Sequence, residues 1–73
     1  MSKNTAFGDF FVIMMANLQL NKKQVANHLG ITTMTLYNKI KEPERFTIRD
    51  LVKLSELGID IDNILNFFFE YEN

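Results

Sequence analysis

Catalysis by a nucleophile, a metal or a phosphate loop needs particular side chains in particular company, and this chain offers them only singly. His28 is the one histidine, and there is no cysteine. On the exposed side of its helix, with no carboxylate or cysteine arranged around it in the sequence, it reads as a plain surface histidine. No serine has a base partner, and Gly8, Gly30 and Gly58 stand too far apart to cradle a phosphate. No His/Asp/Glu cluster has metal-ligand spacing, so no metal or other cofactor is expected, and the chain is not expected to be an enzyme.

The side chains that do gather are cationic. Between Asn21 and Lys53 there are seven bases (Lys22, Lys23, Lys39, Lys41, Arg45, Arg49, Lys53) against three acids (Glu42, Glu44, Asp50), a net of +4. From Leu54 onward there are five acids (Glu56, Asp60, Asp62, Glu70, Glu72) and no base. The overall charge of −1 and a pI of about 5.7 therefore hide a dipolar molecule whose middle can face a polyanion.

A chain of 73 residues makes one domain with a simple core, and without disulfides or zinc that core must come from helix packing. The most apolar run, Phe10 to Ala16, is less than half of a bilayer span, and the chain reads as soluble, cytoplasmic and free of any membrane partner.

Five helices are expected, at about 7–18, 22–29, 33–41, 48–57 and 61–71, and no segment alternates long enough to be a strand. Phe7, Phe11, Met14 and Leu18 form one stripe on the first, whose beginning Gly8 weakens. Asn21 caps the second, Gln24 reaches back to it, Val25, Ala26 and Leu29 face inward, and Gly30 ends it. Thr32 caps the third, which turns Leu36 and Ile40 inward and stops before Pro43. Thr47 and Asp50 form the cap of the fourth, with Ile48, Leu51, Leu54 and Leu57 facing inward and Gly58 at its end. The fifth starts at Asp60 and carries Ile61, Ile64, Leu65 and Phe68 inward.

Lys22 to Lys41 is the informative stretch. Two helices meeting at a steep angle need a small contact residue, a residue tolerant of positive φ at the turn, and apolar residues that lock the pair. Ala26 is the small contact, Gly30 the turn, and Val25, Leu29, Ile31 and Leu36 the lock. With Thr35-Leu36 in the next helix and the segment Phe46 to Ile59 after it, the chain resembles the Cro and phage-repressor helix-turn-helix regulators, the XRE-like or lambda-repressor-like family, over nearly its whole length.

That resemblance implies an all-α, five-helix, lambda-repressor-like fold with a central helix-turn-helix, a partner in double-stranded DNA, and a helix from Thr33 to about Lys41 that enters the major groove. Thr33, Met34, Tyr37 and Asn38 would then contact bases: Thr33 by a hydrogen bond, Met34 on a thymine methyl, Asn38 through its amide on adenine. Lys22 matches the position where family members hold a phosphate, and Lys23, Thr35, Lys39, Lys41 and Arg45 are further backbone contacts. The chain departs from the family in three ways. Lys39 stands where a third apolar anchor is usual, Lys41-Glu42-Pro43-Glu44 replaces an acid-glycine exit, and the first helix is apolar where arginines are common.

One helix face cannot bury everything the two ends carry. Phe10, Ile13, Phe67, Phe69 and Tyr71 are expected to build a homodimer interface. The rival expectation is a protein-interaction module that keeps this fold without binding DNA.

Overall fold

In the computed structural model, the backbone is described for residues 3–72 and the side chains for residues 6–66. Phe67, Phe68, Phe69 and Tyr71 therefore fall outside the described side chains. The fold is all-α. Its helices are α1 (Lys3–Asn17), α2 (Lys22–Leu29), α3 (Thr33–Lys41), α4 (Ile48–Glu56) and α5 (Ile61–Glu72), with a 3-10 turn at Pro43–Arg45 between α3 and α4. No strand occurs among the described residues, and none of their helices is long and apolar enough to cross a membrane.

Local signals set the helix ends. Asn21 and Gln24 make a reciprocal capping box on α2, Thr32 caps α3, and Thr47 with Asp50 makes a second box on α4. At Gly30 and again at Gly58 the backbone turns left-handed, at φ 74° and 95°. In each case the next residue's N–H reaches back to a carbonyl in the helix, Ile31 to Ala26 and Ile59 to Leu54, so both helices end in a Schellman motif.

The end of α1 uses the same motif without a glycine. Gln19 takes φ 58°, its N–H bonds to the Ala16 carbonyl, and the Leu20 N–H bonds to that of Met15. Leu18 consequently lies in the turn, not on the helix, and the buried stripe of α1 is Phe7, Phe11 and Met15, with Met14 only half-buried. The expected Phe7-Phe11-Met14-Leu18 stripe is corrected at its end: Leu18 is exposed in the turn, and Met15 is buried more deeply than Met14, which still packs against the core. Leu18 instead covers Gly58, where a methyl lies 3.5 Å from the point at which a side chain would begin.

α1 lies across α3, α2 packs on α3 and α4, and α4 on α5. The core joins Phe7, Phe11 and Met15 to Val25, Ala26, Leu29, Leu36, Ile40, Leu54, Ile59 and Ile64. Phe46 follows the 3-10 turn into this core and stacks on Phe11 with ring centroids 5.9 Å apart. Two further expectations are corrected. Ile48 is 81% exposed, because α4 turns Asp50 and Leu54 inward and Ile48 lies on the opposite side, and Leu65 of α5 is exposed beside the buried Ile64.

Candidate nucleic-acid interface

The α2-turn-α3 unit is held from both ends. At its start the Asn21 side chain accepts the Gln24 N–H at 2.8 Å while the Gln24 amide oxygen accepts the Asn21 N–H at 2.9 Å. At its turn the Thr32 hydroxyl oxygen accepts the Thr35 N–H at 3.1 Å and its own hydroxyl donates to that of Thr35 at 2.9 Å. Val25, Ala26, Leu29 and Leu36 are buried between the helices, and Ile31 packs against them. These are the small contact, Ala26, and the four residues expected to form the lock.

With Leu36 and Ile40 facing the core, α3 presents Thr33, Met34, Thr35, Tyr37, Asn38 and Lys41 outward. Met34, Asn38 and Lys41 follow one another along a single stripe at helical spacing, and Met34 is 66% exposed. The four expected base-contacting side chains thus share one solvent-facing surface. Lys23 and Thr33 line an open groove of about 360 Å³ together with Gln24 and Asn27. Thr35, Asn38, Lys39 and Arg45 line a second, of about 410 Å³.

The cations divide into two sets. Lys22 lies over the Tyr37 ring, its Nζ 5.6 Å from the centroid, and no acidic partner occurs among the described residues for Lys22, Lys23, Lys41 or Arg49. Arg45, by contrast, stands 3.6 Å from Glu42, and Lys53 3.8 Å from Glu56.

Lys39 is the most committed. Its ammonium donates to the Asp50 carboxylate at 2.5 Å and to the Arg45 carbonyl at 3.2 Å, and lies 6.0 Å from the Phe46 ring centroid. Both side chains of the pair are mostly buried. The family's third apolar anchor is thus replaced by a lysine that points inward, not by a cation free for a phosphate. Burial by itself would raise the Asp50 carboxyl. The Lys39 ammonium and the Thr47 backbone N–H outweigh it and hold the group below its ordinary value of 3.8.

His28 also has a partner that its sequence neighbours do not reveal. Its Nε2 lies 2.8 Å from Glu56 of α4, which corrects the expectation of a histidine without a carboxylate. The contact ties α2 to α4 on the exposed surface and joins no other acid or ligand. Among the described residues no group of three or more His, Asp or Glu side chains is placed to hold a metal. Phe10 is half-buried against the core and Ile13 is 60% exposed.

Residues 15–42, from the last turn of α1 to the residue after α3, match the family model described as bacterial regulatory protein, Fis family. No curated protein and no solved structure matches the chain. The match covers less than half of the chain and falls on the unit whose caps, turn and lock are described above. Residues 15–42 are therefore a helix-turn-helix of the kind carried by DNA-binding regulators, within an all-α fold.

Proposed function

We propose that the protein is a sequence-specific regulator of transcription of the Cro and phage-repressor type, acting in the cytoplasm as a homodimer on double-stranded DNA, with all five helices in one domain and no catalytic activity. The observation that carries this reading is the outer face of α3. Thr33, Met34, Tyr37, Asn38 and Lys41 stand together there, on a helix whose other side is locked to α2 and the core. A rigid helix with an apolar back and a polar, cation-edged front suits the major groove.

In this reading Thr33, Met34 and Asn38 meet bases, with Tyr37 on the same face. Lys22, Lys23, Thr35, Lys41 and Arg45 meet phosphates. Lys39 is left out of the phosphate set because Asp50 and the Arg45 carbonyl already hold its ammonium. Selection of bound duplexes from a random pool tests the specificity directly. The expected result is a short, two-fold symmetric consensus with half-sites about 34 Å apart, degraded at defined positions by Asn38→Ala. Enrichment of no sequence would end the sequence-specific reading.

The homodimer is supported by α1. Its outward side carries Val12, Ile13 and Ala16 at helical spacing, an apolar strip opposite the buried Phe7, Phe11 and Met15. The same strip favours the rival, a protein-interaction module. Sedimentation at micromolar concentration separates them: a dimer that Ile13→Glu splits is expected, and a monomeric wild type would leave the strip to a different protein.

A further inference from the structure

Lys22 and Lys23 open α2, and no acid stands in its first turn. A cation at the positive end of a helix dipole is disfavoured, and Lys22 has an attraction from outside the helix that offsets this. That attraction is the Tyr37 ring, with the ammonium 5.6 Å from its centroid and so within cation–π range. The kind of partner matters. A carboxylate cancels a lysine's charge, as Asp50 does for Lys39. An aromatic face draws the ammonium in and leaves its charge and N–H donors available to an anion.

We propose that Tyr37 is a positioning residue for Lys22: its ring holds the ammonium at the start of α2, beside the outer face of α3, so that one phosphate is met as that face meets bases. The inference rests on the DNA-binding reading and makes it more specific. What binding requires of Tyr37 is the ring, not the hydroxyl. Tyr37 is only half exposed, as a side chain serving as a platform would be.

The test is a double-mutant cycle on the full chain, read by anisotropy of a labelled mixed-sequence duplex across a salt series. Melting curves confirm that each variant is folded. Tyr37→Phe, which keeps the ring, is expected to retain the coupling to Lys22 that Tyr37→Leu loses. Tyr37→Leu is expected to weaken binding by up to about three- to fivefold, the size of an exposed cation–π contact, and Lys22→Met, which removes the phosphate contact itself, at least as much. The combined variant should weaken it no further than Lys22→Met alone. Lys22→Met should also lower the salt slope by about one. In the free protein, the Lys22 ε-methylene protons should show an upfield ring-current shift that Tyr37→Leu abolishes and Tyr37→Phe keeps.

Additive losses, a Tyr37→Phe variant as weak as Tyr37→Leu, or unshifted Lys22 protons would each overturn the positioning role while leaving DNA binding intact. A wild type that binds no duplex at low salt would overturn the DNA reading and this inference with it.

Discussion

The Lys39 ammonium and the Asp50 carboxylate meet at 2.5 Å across the joint between α3 and α4, and Asp50 accepts the Thr47 N–H through the same oxygen at 3.0 Å. One side chain thus caps α4 and anchors the C-terminal half of α3. With the Arg45 carbonyl also bound to Lys39, the 3-10 turn between them is fixed, and α3 is held at both ends.

Breaking that contact on one side should be felt in proportion to what is left unpaired. Asp50→Asn leaves a mostly buried ammonium facing a neutral amide and is expected to cost about 2 kcal/mol. Lys39→Met leaves a carboxylate still bonded to Thr47 and is expected to cost about 1 kcal/mol. Urea denaturation of both variants and of their combination checks this, with a combined loss well below the sum. Strict additivity would mean that the two side chains do not act as a pair.

Asp50 also makes the stability depend on pH. Its carboxyl is held below 3.8 in the fold, so its contribution is fully present above that value and fades as pH falls through the lower folded value. The stability difference between the wild type and Asp50→Asn should therefore be constant at neutral pH and shrink below about pH 4. A difference that grows on acidification would contradict the ion pair.

Glycine positions separate geometry from propensity. At Gly8 an added methyl meets only Ile40, at 3.8 Å, so Gly8→Ala should stabilise α1 by about 0.5–1 kcal/mol in thermal melts. At Gly30 there is open space, but φ is 74°, and Gly30→Ala should destabilise by about 1–2 kcal/mol through backbone strain alone. Opposite signs for two identical substitutions are the expected result.

Gln19 supplies the complementary case. It takes a left-handed conformation with a full side chain at φ 58°. Gln19→Gly should relieve strain and, after glycine's greater loss of chain entropy, still stabilise by about 0.5 kcal/mol. A loss of stability would mean that the Gln19 side chain contributes a contact of its own.

What could be seen in the sequence was what acts over three or four residues. Asn21 with Gln24, Thr47 with Asp50, and Gly30 followed by Ile31 are short-range pairs, and Thr32 a single cap, whose residue types state their role, and they set α2, α3 and the start of α4. The turn at Gln19 lacked such a signal, because a residue type that rarely turns left-handed does so there, and Leu18 lies in that turn as a result. Contacts between elements were hidden for a different reason. Lys39 and Asp50 are eleven positions apart, and His28 and Glu56 twenty-eight. Counting charges along the segment treated Lys39 as a free cation, although its ammonium is held by Asp50 of α4 and by the Arg45 carbonyl. The face of α3 was legible because Leu36 and Ile40 fix its inner side.

The salt dependence of duplex binding tests the central claim, that the outer face of α3 and the start of α2 bind DNA, most directly. Fluorescence anisotropy would compare the wild type with Lys22→Ala/Lys41→Ala and with Lys39→Met. The account predicts steep salt dependence for the wild type, a slope smaller by about two for the double variant, and an unchanged slope for Lys39→Met, whose cation faces inward. No binding at low salt, or a slope that Lys39→Met lowers as much as the surface lysines do, would contradict it.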